Sequence, residues 1–175
     1  DIKNNLVLIG QNDEEVRKVI SDYNPDLIGI SVLFQNLIEH AQHIAKIAKS
    51  VNKKIQVFIG GNCISNAVID YKHGIADKNS NLPDFISYLD DPNIDCAISG
   101  EGEDAVKHFV KSFIENGDIS KTPGLVKKVG HKKYIINDPS KIHFMDTLPR
   151  PARHLVNKEG YFDIGAFHSS KSRSN

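Results

Sequence analysis

The sequence has few cysteines, no excess charge of either sign and no long apolar run. Two cysteines do not imply a disulfide framework, and the expected state is two free thiols in a reducing compartment. Basic and acidic residues are equal at 22 each, so the concentrated positive field of a nucleic-acid surface is missing. No stretch approaches the roughly 18 consecutive apolar residues of a membrane span, and no signal peptide opens the chain. These absences predict a cytoplasmic protein that binds neither nucleic acid nor a membrane.

The length of 175 residues suffices for one domain with a core, but not for two full domains. The chain starts without methionine, enters the strand-like run "LVLI" almost at once and stops in the polar run "SSKSRSN". We therefore expect a fragment of a larger protein.

Short apolar runs alternate with amphipathic runs along the chain. The strand-like runs are residues 6–9, 27–31, 55–60 and 94–99, and the helical patterns cover residues 12–23, 36–50 and 102–116. The stripe of the last helix is Val106, Phe109, Val110, Phe113 and Ile114. This order predicts an α/β fold of the Rossmann-like (flavodoxin-like) class, an open parallel sheet with helices on both faces.

Three segments need separate interpretation. Residues 27–31 are apolar on both faces, which is typical of a central parallel strand. The insert between Gly61 and Ile94 predicts short helices near 65–71 and 82–90. After residue 116, two β-like runs around Gly130-His131 predict a hairpin, and "KIHFMDTLPRPARHLV" an extended connector. The predicted division is residues 1–120 as the α/β domain, its first strand and helix possibly missing, and 121–175 as hairpin and connector.

Three strand ends meet at the carboxyl edge of this predicted sheet, where open α/β sheets bind ligands. They are Ser31-Val32-Leu33, Gly60-Gly61 and Gly100-Glu101-Gly102-Glu103. Each also has a purely structural explanation, because serine is common in turns, paired glycines make tight turns and acidic residues favour a helix start. By themselves the residues leave both interpretations open.

Together these segments resemble a known family. Between Leu33 and Gly60 lie 26 residues, and Ser-x-Leu followed at this distance by Gly-Gly is the spacing of cobalamin-binding domains. Over about residues 13–155 the chain resembles the N-terminal cobalamin-binding domain of radical S-adenosylmethionine (SAM) enzymes. The matching segments are "NPDLIGISVL", "VFIGGN", "IDCAISGEGEDAV", "GLVKKVG" and "LPRPARHL".

The resemblance implies a site at the carboxyl edge. The corrin ring would lie on that edge, and the nucleotide tail would enter a slot beside the sheet, where a serine hydroxyl hydrogen-bonds the buried base. The implied cofactor-binding residues are Ser31, Val32, Leu33, Gly60, Gly61, Asn62, Gly100, Glu101 and Gly102. No catalytic or metal-ligating residue is expected among residues 1–175.

The chain departs from the family in two places. The Asp-x-His-x-x-Gly motif, whose histidine binds cobalt in many corrinoid proteins, would precede residue 1. The sequence "GGNC" stands where the family often has "GGPH", so Cys63 is either a thiolate ligand or, as we prefer, a passive small residue. His40 and His43 lie three apart on one helix and could form a metal pair, but two exposed histidines are the simpler interpretation.

The predicted function is a domain that binds cobalamin and orients it for methyl transfer or related radical chemistry. A 4Fe-4S cluster and SAM are expected only in the full-length protein. The expected partner of this domain is a radical SAM barrel that follows "HSSKSRSN" in the same chain. The alternatives are a receiver-type module and a cofactor-free interaction domain of the same fold. A receiver needs an aspartate at a strand end, and the predicted strands end on Ile9-Gly10, Ser31, Gly60 and Ser99 instead.

Overall fold

The computed structural model describes residues 12–74, 85–115, 117–131, 133–141, 146 and 148–150. The predicted strand at 6–9 and most of the predicted connector lie outside the described residues. The helices are α1 (Asp13–Tyr23), α2 (Ile38–Val51), α3 (Asn62–Lys72) and α4 (Gly102–Ile114). Short 3-10 turns cover Gln35–Leu37, Phe85–Asp90 and Ile119–Lys121. The strands are β1 (Leu27–Ser31), β2 (Gln56–Gly60), β3 (Cys96–Ile98), β4 (Leu125–Gly130) and β5 (Lys133–Ile136).

The five strands form one sheet in the order β1-β2-β3-β4-β5. Strands β1, β2 and β3 are parallel, whereas β4 runs antiparallel to β3 and β5 antiparallel to β4. The predicted α/β Rossmann-like class is confirmed, and so is the hairpin. Because β4 pairs with β3, the hairpin extends the sheet, and the predicted division at residue 120 stays a prediction.

Side chains alternate between the two faces of the sheet, and each face has its own apolar cluster. On one face, Ile28, Ile30, Val57, Ile59, Ala97 and Val126 pack with residues of α1, α2 and α3. On the other, which we call the α4 face, Leu27, Phe58, Cys96, Ile98 and Leu125 pack with Ala105 and Phe109 of α4. Within the described part of the chain β1 is an edge strand, and Gly29 and Ser31 are exposed. The α4 face is therefore more open over β1 than over β3.

Helix α1 begins with a side-chain cap and three acidic residues. The Asn12 Oδ1 atom accepts a hydrogen bond from the Glu15 backbone N–H at 2.9 Å, which satisfies one free donor of the first turn. Asp13 contacts the His43 ring of α2 at 2.7 Å, so this histidine joins two helices. Among the residues described, no three His, Cys, Asp or Glu side chains converge as a metal site would require. None of the described helices is long and apolar enough to cross a membrane.

Several predicted boundaries and one predicted core position were wrong. Helix α3 begins at Asn62, directly after the glycine pair, rather than near 65, and the segment near 82–90 is a 3-10 turn from Phe85. Ile114 was predicted to face the core but is 70% exposed. It is the last residue of α4, beyond the region where Ala105 and Phe109 pack on the sheet.

Candidate functional site

Ser31 and Gly60 are the last residues of β1 and β2 and are directly paired in the parallel register. By strand alternation both belong to the α4 face, in one row with Ile98 of β3. Ser31 is exposed, and its hydroxyl makes no hydrogen bond to any described residue. The row therefore ends in two small residues, and the Ser31 hydroxyl bonds no described residue. We call this position on the α4 face, at the carboxyl edge, the notch.

Gly61 makes the turn from β2 into α3 and lies against the chain that leaves β1. Its φ of +99° is one that residues with a Cβ rarely adopt, and a Cβ here would be 2.7 Å from the carbonyl oxygen of Val32. Val32 is fully buried; its N–H donates to the Gly60 carbonyl at 2.7 Å, and its carbonyl accepts from the Cys63 N–H at 3.2 Å. The internal packing alone thus requires glycine at 61.

The two residues after Val32 are large, apolar and exposed. Leu33 is 54% exposed and Phe34 is 67% exposed, at the carboxyl end of β1. Asn62 is also exposed, as the first residue of α3. Leu33 and Asn62 are among the predicted site residues, whereas Phe34 is not, because its only signal in the sequence is its position beside the Ser-x-Leu segment.

Gly100 is connected to the glycine pair by a side chain that the sequence analysis also missed. The Ser65 hydroxyl of α3 accepts a hydrogen bond from the Gly100 N–H at 2.9 Å and donates to the Gly61 carbonyl at 3.3 Å. Gly100 has a φ of +86°, and a Cβ on it would lie 2.5 Å from the Pro139 Cβ. Gly100 therefore also has a structural reason to be glycine.

Glu101 and Gly102 start α4. Glu101 is the N-cap residue and is exposed, without a capping hydrogen bond from its side chain. A Cβ on Gly102 would meet only the Val106 Cγ2 atom, at an ordinary 3.8 Å. The structure thus brings all three predicted strand ends together, through the Ser31–Gly60 pair, the Gly61–Val32 contact and the Ser65 bridge.

Cys63 lies beside this site, buried in the first turn of α3. Burial raises the pKa of its thiol, since the charged thiolate loses hydration. A neutral thiol is a poor metal ligand. The environment therefore favours the passive role over the thiolate-ligand alternative.

A cleft of about 630 Å³ opens at the opposite, amino edge of the sheet. Its lining includes Asp26, Gln56, Phe113, Ile114, Gly117 and Ile119. Gln56 is the first residue of β2, whereas Gly60 is the last. This cleft is thus separate from the notch at Ser31 and Gly60.

Comparison with known proteins identifies a family and two curated relatives. The B12 binding domain family matches residues 5–78. The chain is 26% identical, over an alignment of 181 positions that includes gaps, to cytidylyl-2-hydroxyethylphosphonate methyltransferase of Streptomyces wedmorensis, covering 91% of this chain and 31% of that protein. It is also 26% identical over 149 residues to an uncharacterized methyltransferase of Pyrococcus horikoshii, covering 84% of this chain and 28% of that one. The chain thus spans about a third of the length of the curated relatives it matches.

A solved structure shares the fold. It is the cobalamin-dependent S-adenosylmethionine radical enzyme OxsB, with aqua-cobalamin and S-adenosylmethionine bound. The TM-score is 0.57 at 18% identity, over 82% of this chain and 18% of that one. These matches do not favour a receiver-type or cofactor-free module. They confirm the predicted resemblance: residues 5–78 match the B12 binding domain family, and the OxsB structure shares the fold.

Proposed function

We propose that this chain is the cobalamin-binding part of a radical SAM methyltransferase and that the cofactor binds at the notch formed by Ser31 and Gly60. The main support is the exposed Ser31 hydroxyl, which bonds no described residue and lies next to Gly60, a residue that has no side chain. The notch fits the family's cofactor, because cobalamin's nucleotide tail presents a flat base with a ring nitrogen that a hydroxyl can hydrogen-bond. A buried ring nitrogen without such a partner would cost about 1–3 kcal/mol.

The other candidate residues have positions that suit a supporting role. Val32 is buried and fixes the backbone next to Gly61, so it would contribute through its position. Leu33 is exposed at the same edge, where it can contact the corrin ring. Asn62, Glu101 and Gly102 begin α3 and α4, and with Gly100 they would form the rim of the site.

The activity of the whole protein is inferred from its relatives. Both curated relatives are methyltransferases, and the shared part is about a third of their length. When bound, cobalamin supplies a cobalt centre that can carry a methyl group, while the protein binds and orients it. A radical SAM barrel, a 4Fe-4S cluster and SAM would then belong to the remaining part of the same chain. A cytoplasmic location also stays part of this proposal.

Retention of cobalamin by the purified chain tests the proposal. After mixing with hydroxocobalamin and desalting, we expect a protein fraction that keeps the visible corrin spectrum. Ser31→Leu should weaken retention, because it fills the notch and removes the hydroxyl. The matched control is Ser21→Leu on the exposed surface of α1, which should retain cobalamin like the wild type. A colourless wild-type protein fraction would reject cobalamin binding by this chain, and equal retention by Ser31→Leu would reject the site.

A further inference from the structure

The α4 face has an aromatic ring in the row next to Ser31 and Gly60. In the parallel register Gly29 is paired with Phe58, one row before the Ser31–Gly60 pair on the same face. A Cβ on Gly29 would lie 2.5 Å from the Phe58 Cζ atom and 2.9 Å from its Cε1 atom. The ring therefore lies across Gly29, and it can do so only because residue 29 has no side chain.

The Phe58 ring is held on another side by α4. Its centroid is 5.2 Å from that of Phe109, with the ring planes tilted by 48°. Phe109 is buried, whereas Phe58 is only partly buried. Phe58 thus keeps some exposed surface, and its ring is held in place by Gly29 and Phe109.

A fixed aromatic surface beside the Ser31 hydroxyl, which bonds no described residue, suits a flat heteroaromatic ligand. The hydroxyl can hydrogen-bond a ring nitrogen, and the aromatic surface can contact the ligand's ring. We propose that Phe58 is the floor of the nucleotide-tail slot and contacts the aromatic base of cobalamin, with Gly29 setting the position of the ring. This inference rests on the proposed function, and it assigns selectivity for the tail to a residue outside the three strand ends.

Two corrinoids that differ only in the tail test this role. Hydroxocobalamin has the nucleotide tail, and cobinamide has the corrin ring without it. We expect the wild-type chain to bind hydroxocobalamin more tightly than cobinamide. Phe58→Leu should lower the affinity for hydroxocobalamin by about 5-fold, the loss expected for one aromatic contact, and leave that for cobinamide unchanged. The matched control is Phe113→Leu, which should change neither affinity. Phe113 lies near the C-terminal end of α4, at the amino edge of the sheet.

A second variant perturbs the ring without removing it. Gly29→Ala places a methyl group in the position that the Phe58 ring now takes, so it should also lower hydroxocobalamin affinity selectively. Circular dichroism of each variant checks that the fold is retained.

Failure of the inference and failure of the proposed function give different results. A wild-type chain that binds neither corrinoid overturns both. Equal wild-type affinities for the two corrinoids overturn the tail slot while leaving cobalamin binding in place. If Phe58→Leu binds hydroxocobalamin as tightly as the wild type, the ring is not a contact. If it binds more tightly, the ring occupies space that the base needs, and the floor role is rejected.

Discussion

The Ser65 side chain and the Gly100 backbone N–H are joined by a 2.9 Å hydrogen bond across 35 residues of sequence. Ser65 lies in the first turns of α3, and Gly100 lies in the short loop between β3 and α4. The same hydroxyl donates to the Gly61 carbonyl at 3.3 Å. One side chain thus holds two of the three strand ends at the candidate site in a fixed relation.

Replacing Ser65 with alanine should loosen the loop at Gly100. The change removes the acceptor of the Gly100 N–H, and a typical hydrogen bond contributes about 0.5–1.5 kcal/mol. We expect a small decrease in the free energy of unfolding and faster hydrogen exchange of the Gly100 amide. Ser112→Ala on α4 is the matched control, because Ser112 is also partly buried but its hydroxyl bonds no described residue. Unchanged exchange at Gly100 would show that the loop is held by other contacts.

Gly61→Ala should destabilise the fold more than a glycine substitution at an open position. At Gly61 an alanine combines an unfavourable φ of +99° with a Cβ at 2.7 Å from the Val32 carbonyl oxygen, and we expect a loss of about 3 kcal/mol. Gly74 has a φ of +62° but no described atom within 4 Å of its Cβ position, so Gly74→Ala should cost only about 1–2 kcal/mol. Urea unfolding of both variants gives the comparison. Equal losses would mean that the Val32 contact relaxes without cost.

Local pattern was sufficient to predict most elements of this fold. Strand β1 was predicted at 27–31 and is observed at Leu27–Ser31, because a short apolar run follows the helix-breaking Pro25. Helix periodicity located α1, α2 and α4, but it could not show that Ile114 lies past the edge of the sheet. Periodicity indicates which face of a helix is buried, but not how far along the helix the sheet surface extends.

The candidate site was less predictable, because its contacts join distant segments. The pairing of Ser31 with Gly60 follows from the parallel register, which no local pattern specifies. Likewise, the Ser65 bridge and the position of the Phe58 ring over Gly29 depend on how α3 and the strands pack. The sequence resemblance predicted the glycines at 61 and 100 as ligand contacts, whereas the structure gives each an internal reason as well.

Asp95→Ala should destabilise the fold strongly, although Asp95 is not fully buried. The Asp95 Oδ2 atom accepts hydrogen bonds from the Lys49 Nζ and the Val57 N–H, both at 2.7 Å. Only 13% of the Lys49 side chain and 28% of the Asp95 side chain are exposed, so removal of the carboxylate leaves a poorly hydrated ammonium group. We expect a loss of about 2–3 kcal/mol in chemical denaturation.

The control for Asp95 is an exposed ion pair. Lys18 and Asp22 in α1 are 2.8 Å apart, but water reaches both side chains. Asp22→Ala should therefore change the unfolding midpoint much less than Asp95→Ala. Similar effects of the two variants would indicate that the Lys49–Asp95 pair behaves as a surface pair.

Stability should fall at alkaline pH because of the buried Cys96 thiol. Burial raises its pKa from the usual 9.0 to about 12, so the folded state keeps the proton over a range in which the unfolded chain loses it. The resulting contribution to stability is complete below pH 9 and is lost as the pH rises from 9 to about 12. Urea unfolding at several pH values in this window should show a decline that is shallower in Cys96→Ala. Because burial also raises the pKa of Tyr88 to about 12, the variant should retain part of the decline. Identical pH slopes for wild type and Cys96→Ala would contradict this role of the thiol.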